Sequence, residues 1–310
     1  MFPILRKKVL SGNMKLFVVK APLVARKARP GQFVIVRIDE KGERIPLTIA
    51  DFDANQGTIT LIFQEVGKST LQMGRMEIGS GFENVAGPLG HPSEIENYGT
   101  VVVVGGGVGI APIFPITRAL KQAGNHVISI IGARSRSLLF WEDRMADYSD
   151  ELFICTDDGS AGRKALVTEP LAELINTGHN ISRVWGIGPA VMMKYVSATT
   201  KAFNIPTIVS LNTIMIDGTG MCGGCRVMLT NGPKFVCVDG PEFDGHQVDW
   251  GNLISRLAFY KSEEEIALRQ WKQHRCRLDS AIQEADRKKE GVTTAPVEAG
   301  NYSGKVIVNA

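Results

Sequence analysis

Four residues in the last third of this chain have the types and spacing of a redox metal site. Asp217, Cys222, Cys225 and Cys237 stand as D-x4-C-x2-C-x11-C within a glycine-rich run, IDGTGMCGGCRV. Thiolates from one tight loop converge on a single rhomb of iron and sulfide, and two-iron clusters sit in C-x4-C-x2-C…C loops for that reason. Here an aspartate takes the first position. Gly218, Gly220, Gly223 and Gly224 supply the left-handed and unhindered backbone such a loop needs, and their amides can hydrogen-bond cluster sulfurs. Two other readings stand beside this one. Asp-Gly is a strong turn pair, so the thiols could be neighbours by accident, and three thiolates with a carboxylate could hold zinc tetrahedrally. Three of the five cysteines fall on the ligand spacing, which favours a metal over the accident.

A second set of residues has the chemistry of phosphate binding. GGGVGIAP, Gly105 to Pro112, follows a run of four valines and opens a helix. Its glycines let the backbone approach a pyrophosphate, and the helix start offers unpaired amides and a positive dipole end. The run departs from G-x-G-x-x-G in placing Pro112 where a third glycine would stand. Arg134 and Arg136 follow the next strand and either contact adenosine phosphates or are simply solvated. Thr156, Asp157, Asp158 and Gly159 end a third strand, and Gly188 and Pro189 end a fourth. Each is also an ordinary turn residue, but all fall at the carboxyl edge where open parallel sheets bind ligands. Earlier in the chain, Gly67, Lys68, Ser69 and Thr70 offer amides for another pyrophosphate, and Thr48, near Arg44, offers a hydrogen bond to a flavin ring. Threonines are also common on barrel strands with no ligand to hold.

The elements that must position these groups change rhythm near residue 98. Up to about Asn97 short apolar runs alternate with turn residues, at Phe17–Lys20, Gln32–Ile38, Pro46–Ala50 and Thr58–Phe63, which predicts a small antiparallel β-barrel. Beyond it, strands at Val101–Val104, Val127–Ile131, Leu152–Thr156, Val184–Ile187 and Thr207–Leu211 alternate with helices after Pro112, over Leu138–Tyr148, from Ala165 and over Ala190–Phe203. That pitch predicts an α/β domain with a parallel sheet. The expected division is a barrel over 1–97, a nucleotide-binding domain over 98–212, a small C-terminal metal module over 213–250, and a helix and tail over 251–310. The helix is expected over Ser262–Glu290, with Ile266, Trp271, Leu278 and Ile282 as apolar points that pack on the chain itself or on a partner.

Composition narrows the class. With 44% hydrophobic and 22% charged residues and a net charge of +3, neither nucleic acid nor a membrane surface is expected as the main partner. The N-terminus breaks into charge at Arg6, Lys7 and Lys8 before any signal-like apolar run, and an odd, clustered cysteine set suits a reducing cytoplasm. Gly99–Thr117 carries no charge over a length approaching a membrane span, but its glycines and prolines predict strand, turn and helix instead. The first 38 residues hold nine Lys or Arg and no Asp or Glu, read as a solvated barrel face ahead of a docking surface for an acidic partner. His91, His126, His179, His246 and His274 are scattered, and no substrate acid/base set or catalytic triad is visible.

In order along the chain, RIPLTI, GKST, GPLG, GGGVGIAP, TDDGS, GIGP and the cysteine loop resemble the ferredoxin-NADP reductase superfamily. More narrowly they are similar to the branch containing the electron-transfer subunit of dihydroorotate dehydrogenase, the beta subunit of sulfide dehydrogenase and the small subunit of NADH-dependent reduced ferredoxin:NADP oxidoreductase. Asp217 and the segment CVDGPEFDGH resemble the last of these; dihydroorotate-type subunits are expected to have four cysteines. The resemblance, over residues 1–275, implies FAD on the barrel at Arg44, Pro46, Leu47 and Thr48, with Gly67, Lys68, Ser69 and Thr70 at its pyrophosphate. It implies NAD(H) at Gly105, Gly107, Val108, Gly109, Arg134, Asp157, Asp158, Gly159, Gly188 and Pro189, and a [2Fe-2S] cluster at Asp217, Cys222, Cys225 and Cys237. The R-x-Y-S pattern of the superfamily is not met, and Arg44 lies one residue farther from Thr48 than that pattern places it. The implied activity is electron transfer between NAD(H) and a larger flavin and iron–sulfur subunit, in flavin-based bifurcation among NADPH, ferredoxin and NAD. Three other functions stay open: an electron-transfer subunit serving dihydroorotate or sulfide dehydrogenase, a self-contained reductase, and a non-catalytic zinc module sensing NAD(H).

Overall fold

A computed structural model describes residues 1–273. The first strands are β1 (Phe2–Ser11), β2 (Met14–Lys20), β3 (Phe33–Arg37), β4 (Ile45–Asp53), β5 (Thr58–Gln64), β6 (Gly81–Phe82) and β7 (Asn84–Leu89), with short helices α1 (Pro22–Lys27) and α2 (Lys68–Gly74) between them. They form one sheet in the order β6-β1-β2-β5-β4-β3-β7, which curls into a nearly closed antiparallel barrel. Alternation along the strands explains the curl. Phe17 and Val19 of β2 point into the barrel with Val34, Val36, Ile49 and Leu61, while Met14 and Leu16 point out beneath a helix of the next domain.

That domain contains β8 (Thr100–Gly106), α3 (Ile110–Gln122), β9 (His126–Ala133), α4 (Glu142–Ala146), β10 (Glu151–Thr156), β11 (Arg163–Lys164), α5 (Thr168–Asn176), β12 (Ile181–Ile187), α6 (Ala190–Lys201) and β13 (Thr207–Ser210). The strands are parallel in the order β11-β10-β9-β8-β12-β13. Four consecutive valines suit β8 because both of its faces are covered: Val101 and Val103 lie in the core under α3, Val102 and Val104 in the core with α5. None of the described helices is long and apolar enough to cross a membrane, and Gly99–Thr117 is indeed strand, turn and helix.

The remaining elements are β14 (Arg226–Leu229), β15 (Gly232–Phe235), α7 (Val236–Asp239), β16 (Glu242–Asp244) and α8 (Trp250–Leu257). β14 and β15 form a two-stranded ribbon, and β16 pairs antiparallel with β13 at the edge of the parallel sheet. A helix continues over 261–273, and the rest of the expected Ser262–Glu290 helix lies outside the described residues.

Two expectations need correction. The helix expected over Leu138–Tyr148 is shorter and starts late: a single 3₁₀ turn, Arg136–Leu138, is followed by extended backbone, and α4 covers only Glu142–Ala146. Leu139 and Phe140 are drawn into the core, and Trp141 takes a left-handed conformation at φ 59°, so burial overrides the local helical pattern. The helix after Ala165 starts three residues late, at Thr168, because the Ala165 amide is still bonded to the Thr156 carbonyl.

An ionic clamp fixes the barrel against the α/β domain. Asp51 on β4 accepts from Arg118 of α3 at 2.8 Å and from Arg144 of α4 at 2.5 Å, and both guanidinium groups lie against the Phe114 ring. Removing the carboxylate leaves two partly buried cations facing each other. Asp51→Ala is therefore expected to cost about 1–2 kcal/mol, between exposed and buried ion pairs. A thermal melt tests this, and an unchanged midpoint would remove the clamp from the account.

Candidate functional site

The D-x4-C-x2-C loop wraps over α7, which carries Cys237. Gly218, Gly220 and Gly223 have φ of 75°, 80° and 67°, so the left-handed backbone read from the glycines is present. Cys225 and Cys237 are buried with their sulfurs 3.3 Å apart, and the Cys237 amide approaches the Cys225 sulfur at 3.4 Å. Cys222 is exposed. Asp217 accepts from the amides of Thr219 and Cys222, each at 2.9 Å, and these bonds, Thr219 foremost, hold its carboxyl below the ordinary carboxylate value. The charge of Asp217 acts in turn on Cys237. The four expected ligands thus share one neighbourhood. Among the described residues, however, no three His, Cys, Asp or Glu side chains stand in metal-holding geometry.

The donor chemistry nevertheless fits a soft metal centre. Burial and the neighbouring Cys225 sulfur push the Cys237 thiol up to about 12, while the Gly220 amide, directed at the same sulfur, favours the thiolate. A thiol so placed gives up its proton to a metal rather than to water, and the amide is already aimed where a thiolate charge would form.

The loop lies against the barrel. A Cβ on Gly218 would stand 2.7 Å from the Ile35 side chain and 2.8 Å from that of Leu89. Ile35 and Phe33 face outward from β3 into the core that contains Cys225 and Cys237. Across the ladder, Ile35 is opposite Pro46 and Phe33 opposite Thr48. The expected flavin strand and the thiol loop are therefore neighbours of the same strand, one strand spacing of about 5 Å being interposed. Leu47 differs: it is opposite Val34 and packs on the barrel core, so its side chain faces away from Thr48 and Pro46.

The second flavin segment meets the first. Glu43, beside the exposed Arg44, accepts a hydrogen bond from Ser69, and Gln72 reaches Asp39 at 3.2 Å. Thr70 is occupied locally, its hydroxyl accepting from the Val66 and Gly67 amides at 3.0 Å, which leaves the Lys68 and Ser69 amides as orphan donors of the first turn of α2. No atom lies within 4 Å of where a Gly67 Cβ would be, so this approach is open.

At the carboxyl edge of the parallel sheet, the loops after β8, β9, β10 and β12 come together. The Asp157 and Asp158 amides bond the carbonyls of Ala133 and Arg134, at 3.1 and 3.2 Å. Gly159 has φ 78°, and Pro189 caps α6. The glycines of GGGVGIAP divide by role. Gly107, at φ 56°, has open space where a Cβ would point, and Val108 beside it is exposed, which fits a phosphate cradle. Gly109 instead permits packing, since its Cβ would be 2.1 Å from the Ile187 carbonyl oxygen, and Gly105 and Gly188 are likewise crowded. Of the two arginines, Arg136 pairs with Glu142, while Arg134 is exposed and makes no ion pair among the described residues. The sequence reading missed Glu242, a carboxyl held by Ser93 at 2.5 Å; only the GPEFD segment hinted at it.

Comparison with known proteins places this geometry. Residues 212–249 match the family described as the iron-sulfur cluster binding domain of dihydroorotate dehydrogenase B. The chain is 47% identical to a Thermotoga maritima protein named dihydroorotate dehydrogenase B (NAD(+)), electron transfer subunit homolog, over 85% of this chain and 93% of that one. It is 31% identical to the dihydroorotate dehydrogenase B (NAD(+)) electron transfer subunit of Geobacillus thermodenitrificans, over 73% of this chain and 89% of that one. A solved structure concerned with flavin-based electron bifurcation by NADH-dependent reduced ferredoxin-NADP oxidoreductase matches with a TM-score of 0.83 and 45% identity, over 87% of this chain and 98% of that chain.

Proposed function

Because the chain belongs to the family of dihydroorotate dehydrogenase B electron-transfer subunits and their homologues, we propose that it relays electrons in the cytoplasm between NAD(H) and a larger flavin and iron–sulfur subunit. In this reading Arg44, Pro46 and Thr48, with the Lys68 and Ser69 amides, hold FAD. Gly107, Val108, Arg134 and the Asp157–Gly159 turn receive NAD(H), and Asp217, Cys222, Cys225 and Cys237 hold a [2Fe-2S] cluster. When bound, these groups supply exchange between a hydride's electron pair and single electrons. The chain's own work is to orient: the open backbone at Gly107 and Val108 admits a pyrophosphate, and the Gly220 amide faces the Cys237 sulfur. The observation that carries the reading is Ile35, which touches the thiol loop on one side and pairs with Pro46 on the other.

Asp217, together with 45% identity to the bifurcating oxidoreductase structure, favours a ferredoxin:NAD(P) oxidoreductase role in bifurcation among NADPH, ferredoxin and NAD. The names of the sequence relatives support service to a dihydroorotate dehydrogenase as the second reading. The partner that copurifies from the native cell separates the two. A colourless zinc protein would overturn both.

Gly67→Val tests the flavin site. A side chain there meets nothing in the chain, and φ is an ordinary −119°, so the variant should fold as the parent does and yet release FAD. Full flavin occupancy with unchanged reduction by NADH would remove Gly67–Thr70 from the site.

A further inference from the structure

The segment after Cys237 closes a junction of three parts of the molecule. α7 runs through Gly240 and Pro241 into Glu242, the first residue of β16. The Gly240 carbonyl accepts from the His91 amide at 2.6 Å, and the Pro241 carbonyl from the Leu211 amide at 2.9 Å. Gly90, next to His91, accepts from the Gln32 side chain at 2.8 Å, and the Gln32 carbonyl accepts from the Ile49 amide, beside Thr48, at 3.0 Å. A continuous hydrogen-bonded route therefore links the helix of the last thiol ligand to the flavin strand.

Glu242 closes that route from the side. Ser93 bonds its carboxyl at 2.5 Å, and the Ser93 amide is bonded to the Pro30 carbonyl at 2.9 Å. Gly31 leaves no spare room, since its Cβ would lie 2.3 Å from the Ser93 hydroxyl and 3.0 Å from the Glu242 carboxyl. The charged and titratable groups facing this carboxyl are Glu94, Arg183 and Tyr98. Arg183 is engaged elsewhere, over the Tyr98 ring at 4.2 Å and with Glu94 at 3.6 Å, so Glu242 has no ion-pair partner among the described residues. The fully buried Trp185 indole N–H, which lacks a hydrogen bond of ordinary geometry, faces the same carboxyl.

We propose that Glu242 is a positioning residue that seats the thiol loop against the flavin strand, accepting the Ser93 hydroxyl bond beside the unsatisfied Trp185 indole. The inference rests on the cofactor assignment above for its consequence, though not for its chemistry. Burial, ahead of every other influence, pushes the carboxyl up to about 7. Between its ordinary value and that one the native state binds more protons than the unfolded chain, so stability falls as pH rises through the interval. Above it, an unpaired charge occupies the junction.

The test compares the full chain, purified with its cofactors, with Glu242→Gln and Ser93→Ala. Glutamine keeps an acceptor for Ser93 and cannot titrate. Its melting temperature should gain on that of the wild type as pH rises from about 5 to about 7, and hold that gain above. Ser93→Ala, which removes a hydrogen bond favouring the ionised form, should move the wild-type decline to higher pH. After mixing with NADH, the rate of cluster reduction should fall with rising pH in the wild type and stay level in Glu242→Gln, while flavin bleaching is alike in both. Parallel melting curves would overturn the upward shift of the carboxyl, and a pH-dependent cluster rate retained in Glu242→Gln would overturn its positioning role. Protein lacking flavin and iron would instead overturn the cofactor assignment, and the melts would still decide the state of Glu242.

Discussion

Asp217→Ala is expected to lose the iron–sulfur cluster, with bound iron falling about 10- to 100-fold, because the change removes the proposed ligand and the acceptor for two loop amides together. Two further variants separate those roles. Asp217→Asn keeps an oxygen for the Thr219 amide but offers no anionic ligand, so the loop should persist while the cluster becomes labile. Asp217→Cys should retain a two-iron cluster with a changed reduction potential and paramagnetic resonance signal, since thiolate is a softer donor than carboxylate. Cys276→Ala, outside the described residues, should leave the cluster intact. If Asp217→Asn and Asp217→Ala both hold a cluster of unaltered spectrum and potential, Asp217 merely shapes the turn, and the fourth ligand must come from Cys276 or a partner chain, because Cys155 is buried in the separate core between β10 and α5.

Gly107→Val should slow reduction of the flavin by NADH about 100-fold, the scale expected when a bound reactant is displaced by about an ångström. The added side chain would enter the open cradle without touching the chain, at a strain cost of about 1–2 kcal/mol for a left-handed non-glycine residue. FAD and iron content should be unchanged. Gly109→Val provides the contrast, because its Cβ is driven into the Ile187 carbonyl, and stability should fall along with activity. Stopped-flow traces of flavin bleaching compare the two, and wild-type rates in Gly107→Val would take the nicotinamide site away from this loop.

The contrast between Gly107 and Gly109 shows where sequence reasoning ran out. Both glycines belong to one phosphate-binding pattern, and nothing local says which faces ligand and which faces β12. Leu47 is a similar case: within RIPLTI it stands beside Thr48, yet the alternation of β4 turns it into the barrel. The late start of the helix expected over Leu138–Tyr148 has a related cause, since burial of Leu139 and Phe140 depends on the surface of α3, which no pattern within the segment records.

What the sequence by itself determined is what local pattern can encode. The valine strand, its glycine turn and helix, the change of rhythm near residue 98 and the positive-φ thiol loop each depend on a few consecutive residues, and each is where it was expected. Tertiary structure alone decided how these parts meet. β16 leaves the thiol module to edge the parallel sheet, Ile35 comes to lie between the thiol loop and Pro46, and Glu242 meets Ser93 across 149 positions of chain. Such contacts are set by which faces remain apolar after each element has formed, and by the few ways those faces can cover one another, so no short stretch of residues carries them.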